Sequence, residues 1–426
     1  MLKEYQSEAV KWMIEREQDV DVKGGFLCDE VGLGKTIEIL NLLNESPKKL
    51  NLLIVPKVLQ IQWKEEAITW LKNHTIKIIN KRNVIRNNNG NYLYIMSYSD
   101  FCYDDKILAH DINWGRIILD EGHNIKNRMS NTHKSVCNLM SDIKWCVSAT
   151  PVMNNITDLY GLLKWFNFTK REVDNEKEKI LQSLMMRRTK EDVKLNIPNL
   201  NVSNIPINMS EKEREVYETT SEKITSLLIA SDSQNELHIF ELLIRLVQTC
   251  IHPSICNKAL NKKYKSQENE DYKVPTNKIE KLKDVLTNQT NNEKTLIFCK
   301  YKEEMKIYKN MFPESYHING DYTEDERNEI LRKFKTNNVK YLFIQINIGN
   351  CGLNIQSANH VVFTSPMWNP AVEHQAIGRC YRTGQTKNVN VYKLYYENTI
   401  EEKILKAQSK KLELIQEIWD YLKNKI

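Results

Sequence analysis

The chain has 426 residues, the length of two or three domains at ~150 residues each. With 41% hydrophobic and 27% charged residues the composition is globular, which excludes whole-chain disorder. The net charge of +6 permits a nucleic-acid partner without demonstrating one.

No run of about 18 apolar residues spells a membrane span. The N-terminus enters an amphipathic pattern directly, with neither a secretory nor a transit segment, so a soluble, intracellular protein is expected. Nine cysteines are scattered without any C-x-x-C, which argues against a disulfide framework or a structural zinc. Cys250, His252 and Cys256 share one short segment and read as buried structural residues.

Residues 3–17 read as a helix, with Tyr5, Ala9, Val10, Trp12 and Met13 on or near one face. Strand-sized apolar runs then alternate with helical pattern: 26–28, 52–55, 92–96, 117–119 and 145–147. The alternation resumes with 296–298, 316–318, 341–344, 361–363 and 389–394. That alternation predicts parallel sheets covered on both faces. Between them, about 170–276 is glycine-free, charged and helix-periodic, and reads as a helical insertion ending in an exposed linker at 267–275.

Only 13 glycines occur, and ten fall in a few clusters, from Gly24 and Gly25 through Gly32 and Gly34 to Gly378 and Gly384. A chain this poor in glycine is expected to keep it where the backbone needs φ > 0 or approaches a ligand.

Asp29-Glu30-Val31-Gly32-Leu33-Gly34-Lys35-Thr36 follows a predicted strand and opens a helix. G-x-G-K-T in that setting is a phosphate-binding loop: backbone N–H groups wrap the phosphates, Lys35 meets the β/γ oxygens and Thr36 holds Mg²⁺. Asp29 occupies the first glycine position of the strict pattern. Ile117-Ile118-Leu119 then leads into Asp120-Glu121-Gly122-His123. The first acid suits Mg²⁺ and the second suits orienting and deprotonating water. His123 alone is compatible with a packed histidine; beside the acids it reads as a coupling residue. Near the other end, Gln375 to Gln385 carries Arg379 and Arg382, three apart and on one face if helical. Guanidiniums against a γ-phosphate neutralise transition-state charge, although bare spacing is equally that of a surface pair.

These blocks, in this order, resemble the Swi/Snf-type ATPases of helicase superfamily 2 over nearly the whole chain. Leu2, Tyr5 and Gln6 match the adenine-recognition motif, 29–36 the family's variant phosphate loop, and 53–56 with Gln62-Trp63 motif Ia. Motif II is matched by 120–127, motif III by Ser148 to Pro151 with Asn154-Asn155, and the block closing the first lobe by Met186 to Lys190. Gly352-Leu353-Asn354 and Trp368-Asn369-Pro370 fit motif V and its extension, and Gln375 to Gln385 fits motif VI. Ala149, Asn350 and Tyr381 depart from the usual residues, but no departure touches Lys35, Asp120, Glu121, Arg379 or Arg382. The subgroup leaning is toward postreplication repair and transcription termination, without its RING finger.

The resemblance implies an α/β fold of two RecA-like parallel-sheet lobes, 1–195 and 276–426, with a helical insertion and linker at 196–275. It implies ATP and Mg²⁺, the nucleotide held by Tyr5, Gln6, residues 29–36, Gly352 and Gln375, and arginine fingers at Arg379 and Arg382. Coupling is assigned to His123, Ser148, Thr150, Asn354 and Trp368. Trp368 either reaches into a DNA groove or packs behind its turn. The expected activity is that of a DNA-dependent ATPase translocating on double-stranded DNA and remodelling protein–DNA complexes. A superfamily 2 RNA helicase and a catalytically inactive nucleic-acid-binding scaffold are the alternatives. With no separate reader module expected, targeting falls to a protein partner. Heavy Lys and Asn usage points to an AT-rich genome, leaving nucleus or a viral cytoplasmic replication site as the location.

Overall fold

The computed structural model describes residues 2–80, 90–102, 108–149, 156–195, 197–230, 236–264, 276–349 and 355–410. They form two compact units that divide between residues 195 and 197.

The first unit is built on strands β1 (Gly24–Leu27), β2 (Leu50–Val55), β3 (His74–Ile78), β4 (Asn91–Ser97), β5 (Arg116–Asp120), β6 (Lys144–Val147) and β7 (Met185–Met186), ordered β3-β4-β2-β5-β6-β1-β7. Every pairing is parallel. The short apolar runs are buried on both faces because alternate residues feed separate cores. Phe26, Leu52, Ile117 and Cys146 pack into one core; Leu27, Leu53, Ile118 and Trp145 pack into the other. Helices α1 (Glu4–Arg16), α2 (Lys35–Glu45) and α3 (Gln60–Trp70) cover the second face through Met13, Ile39 and Trp63. Helices α5 (Ile156–Trp165) and α6 (Lys170–Leu184) cover the first through Leu162 and Leu181, beside the short α4 (Asn131–Cys137). Because β5, β6 and β1 are parallel neighbours, the chain leaves all three at the same end of the sheet. The loops after Leu27, Asp120 and Val147 therefore open side by side.

The second unit has a six-stranded parallel sheet of β8 (Leu200–Ile207), β9 (Thr295–Cys299), β10 (Tyr316–Ile318), β11 (Tyr341–Gln345), β12 (His360–Phe363) and β13 (Val389–Tyr396), ordered β8-β13-β12-β9-β11-β10. Alternation again splits it, Ile297 and Val362 facing one core and Leu296, Phe298 and Val361 the other.

Three strands of these two sheets escaped the sequence reading. β3 and β8 are edge strands whose apolar residues are interrupted by polar ones and mostly exposed or half-buried, and β7 is two residues long. The glycine-free stretch does hold helices α7 (Glu211–Ala230), α8 (Glu236–Ile251) and α9 (Pro253–Tyr264). It also holds β8, and Tyr217, Ile224, Leu246 and Cys250 pack into the core of the second sheet. Gly24 has φ of +112°, in keeping with the expectation, and lies flush against the Lys144 backbone; Gly25 departs from it, since only close packing against the Leu184 backbone requires it. Among the described residues no helix is long and apolar enough to cross a membrane.

Candidate active site

The loop between β1 and α2 turns on Gly32 and Gly34, with φ of +94° and +99°, a region L side chains seldom enter. A side chain at Gly34 would also strike the Gln6 amide. That amide donates to the Leu33 carbonyl at 2.9 Å, as does the Tyr5 hydroxyl at 2.8 Å. The two adenine-motif residues thus grip the crown of the loop from α1. Lys35 donates to the carbonyl oxygens of Asp29 at 2.6 Å and Glu30 at 3.4 Å, folding its ammonium into the loop's own concavity. Thr36, half-buried, lies in the first turn of α2.

The outer side of the loop is fastened to a segment more than 150 positions later in the chain. Cys28 and Glu30 donate backbone N–H groups to the carbonyls of Met186 at 2.7 Å and Arg188 at 2.9 Å. The Asp29 carboxylate is fully buried. It accepts from the Arg188 backbone at 2.9 Å and from the guanidinium through Nε and Nη2. Arg188 also donates to Glu38 at 3.2 Å and to the Tyr5 carbonyl. Glu30 pairs with Lys190 at 2.9 Å. Burial, reinforced by the Asp29 charge, pushes the Glu38 carboxyl up to about 8.

At the end of β5, Asp120 accepts from the Trp63 indole N–H at 2.6 Å and from the Glu121 backbone at 3.0 Å. Burial, and then the adjacent Glu121 charge, push the Asp120 carboxyl up to about 6, against the pull of Trp63 and Lys35. Two adjoining acids with so little positive charge beside them fit a divalent cation. Glu121 sits at φ +49°, ψ +51°, a left-handed conformation uncommon for a glutamate and met most often at working sites. His123 bridges onward: its Nδ1 is 3.3 Å from the Glu121 carboxylate and 3.4 Å from the Ser148 hydroxyl at the end of β6. Loop, acid pair, His123 and Ser148 therefore meet at one end of the first sheet. Thr150 lies outside the described residues, as do Gly352 and Asn354 of the second unit.

In the second unit Asn369 caps helix α10 (Pro370–Ile377), on which Gln375 is buried. Arg379 and Arg382 are not on a helical face, contrary to expectation, because α10 ends at Ile377. The Arg379 carbonyl is taken by the Ile355 N–H at 3.0 Å, and that of Cys380 by the Gln385 side chain at 3.2 Å, so the helical ladder stops. Both arginines sit half-buried in the turns that follow. Trp368 is half-buried against Val247, Ile251, Ile255 and Ile404. Its neighbours are held firmly: Glu373 accepts from the Met367 N–H at 2.8 Å, and Lys300 and Gln408 donate to the carbonyls of Pro366 and Met367.

A family model for the SNF2-related domain matches residues 5–172 and 164–255, and one for the helicase conserved C-terminal domain matches 277–384. The chain belongs to the SNF2-related family.

A probable global transactivator of Orgyia pseudotsugata multicapsid polyhedrosis virus is 27% identical over 98% of this chain and 91% of its own length. A putative ATP-dependent helicase/translocase, YwqA, of Bacillus subtilis is 29% identical over 95% of this chain. The ATP-dependent DNA helicase DDM1 of Arabidopsis thaliana is 27% identical over 97%. The chain spans nearly all of the viral relative but only 47% and 61% of the other two. The Sulfolobus solfataricus SWI2/SNF2 ATPase core, solved in complex with dsDNA, is 24% identical over 98% of this chain and 92% of that one, with a TM-score of 0.43.

As an SNF2-related protein with a helicase C-terminal domain, the chain is an ATP-hydrolysing enzyme of the helicase type. Two members of its candidate site were not singled out from sequence. Trp63 and Arg188 both fell inside recognised blocks, but what each touches, Asp120 and Asp29, lies 57 and 159 positions away. No local pattern encodes such a pairing.

Proposed function

We propose that this SNF2-related chain is a DNA-dependent ATPase that translocates along double-stranded DNA and remodels or displaces protein–DNA complexes. Residues 1–195 and 276–426 would form its two lobes, with 196–275 as the segment joining them that lends strand β8 to the sheet of the second. The observation that carries the reading is the convergence of the Lys35 loop with the Asp120–Glu121 pair, wired through His123 to Ser148. The names of the Bacillus and Arabidopsis relatives, a helicase/translocase and a DNA helicase, support it.

In this reading Tyr5 and Gln6 sense the base while residues 29–36 wrap the phosphates. Lys35 exchanges its carbonyl partners for phosphate oxygens. Thr36 and Asp120 are the residues that would hold Mg²⁺, which when bound neutralises phosphate charge. Glu121 orients and deprotonates the attacking water, and its left-handed backbone holds the carboxylate toward His123. Arg379 and Arg382, with Gln375 and Gly352, supply the second lobe's share, so hydrolysis depends on lobe closure. Ser148, Thr150, Asn354 and Trp368 relay that closure to the DNA, and a protein partner directs the motor to its target.

The test is ATP turnover with duplex DNA, single-stranded DNA, RNA and no nucleic acid, for wild type and Glu121→Gln. Duplex-preferred stimulation that Glu121→Gln abolishes is expected. Preference for RNA would indicate an RNA helicase, and turnover indifferent to Glu121→Gln would indicate an inactive scaffold.

A further inference from the structure

Strands β4, β2 and β5 of the first unit are parallel neighbours, so the chain leaves all three at one end of the sheet. Two of the segments that follow them reach back to Asp120, the last residue of β5. From α3, which follows β2, the Trp63 indole N–H donates to Asp120 Oδ2 at 2.6 Å. From the turn after β4, Tyr98–Phe101, the Tyr98 hydroxyl donates to the Asp120 carbonyl at 2.9 Å. The Glu121 N–H donates to Asp120 Oδ1 at 3.0 Å. Side chain and main chain are thus held by three donors.

The two distant donors are themselves immobilised. Trp63 is 3% exposed and packs into the core that α3 covers. Tyr98 is buried, and its turn is locked where the Ser97 N–H and hydroxyl donate to the Asp100 carboxylate at 3.2 and 2.8 Å. An aspartate otherwise turns easily about its terminal torsion, which has no sharp wells. Here the indole cannot follow such a turn without leaving its core. None of the three donors is charged, so the carboxylate is aimed without being neutralised. Each of its oxygens has two lone pairs and spends one on these bonds.

We propose that Trp63 and Tyr98 are positioning residues for the divalent cation of the ATPase, presenting the Asp120 carboxylate in the orientation that holds it. The inference deepens the proposed function and rests on Asp120 as a holder of Mg²⁺. A lysine or arginine in place of Trp63 would orient the acid too, but its charge would repel a cation there. A neutral N–H on a rigid ring supplies direction alone. Hydrogen-bond partners of metal-holding groups are typically worth about 10–100-fold in metal affinity. Tyr98 acts through the carbonyl that fixes where β5 stops and the acid pair begins.

A buried indole also needs an acceptor for stability alone, so the test reads the metal and not the fold. A fluorescent, non-hydrolysable ATP analogue is titrated onto the full chain in Mn²⁺ and in EDTA. The ratio of the two affinities measures what the metal adds, and paramagnetic resonance counts the bound Mn²⁺ directly. Trp63→Phe is expected to lower that ratio about tenfold, with the affinity in EDTA changed by less than about twofold. Tyr98→Phe, which deletes one neutral hydrogen bond, should lower it about threefold. Trp70→Phe, a half-buried tryptophan seven positions further along α3, should leave the ratio at the wild-type value. An unchanged ratio in Trp63→Phe overturns the proposal, and so does an equal fall in Trp70→Phe. Should Trp63→Phe fail to fold, the ratio in Tyr98→Phe decides in the same way. A wild-type ratio in Asp120→Asn would overturn the assignment of the cation to Asp120 itself, a separately readable result.

Discussion

Arg188 closes over the buried carboxylate of Asp29 with its backbone N–H and its guanidinium together, clamping the phosphate loop to a segment 159 positions downstream. Asp29 stands where the strict loop pattern has glycine, and the clamp gives that substitution a physical reason: the side chain anchors the loop and leaves the backbone to face the nucleotide.

Removing Arg188 leaves an uncompensated buried charge, which costs about 3–5 kcal/mol. Arg188→Ala should therefore lower the free energy of unfolding by that much, seen as a lower urea midpoint, and raise the KM for ATP. Arg188→Ala combined with Asp29→Asn should lose less than Arg188→Ala alone, because the stranded charge is gone. Urea titration of the single and double variants, with ATP kinetics, reads both effects.

Around Arg188 two buried acids share one guanidinium, and Glu38 is the one whose carboxyl is pushed up to about 8. At pH 7 it holds its proton, and a glutamine has the same shape. Glu38→Gln should change stability by less than about 1 kcal/mol and leave the KM for ATP within about twofold. A loss as large as that of Arg188→Ala would show that Glu38 works ionised.

Gly122 packs its α-carbon against the sulfur of Cys146, so that an added methyl would lie far inside contact distance. Gly122→Ala should cost about 1–3 kcal/mol by overpacking and displace Glu121, its neighbour, lowering kcat more than it raises KM. Cys146→Ala removes the obstructing atom, so the double variant should recover part of both losses. Its failure to do so would place the strain in the backbone instead.

His317 of β10 stacks on Phe343 at 4.8 Å between centroids and bonds the Ser315 hydroxyl at 2.8 Å. Burial, aided by the Lys309 charge, lowers its pKa from 6.5 to about 4. The unfolded chain takes up a proton near pH 6.5 that the folded ring refuses until about 4. The stability this neutral ring contributes is complete above 6.5 and lost as pH falls through that window, by about 3 kcal/mol at most. Thermal melts from pH 7.5 to 4.5 should show the decline, and His317→Phe should flatten it.

Two parallel-sheet units, the glycine turns of the phosphate loop and the acid pair at a strand's end were legible in the sequence. Each is a local matter: apolar runs of strand length, glycines where φ must be positive, charges where an apolar run stops. Strands β3 and β8 were not legible, because on a sheet edge polar residues interrupt their apolar positions and no continuous apolar run marks them. The end of α10 before Arg379 was hidden as well, since it depends on Ile355, 24 positions back in the chain, taking the Arg379 carbonyl and on the Gln385 side chain folding onto that of Cys380. The same holds for Trp63 on Asp120 and Arg188 on Asp29. Side chains far apart in the chain become neighbours only through the order of parallel strands and the helices packed on them. Local sequence sets what each residue can do, and tertiary packing decides whom it meets.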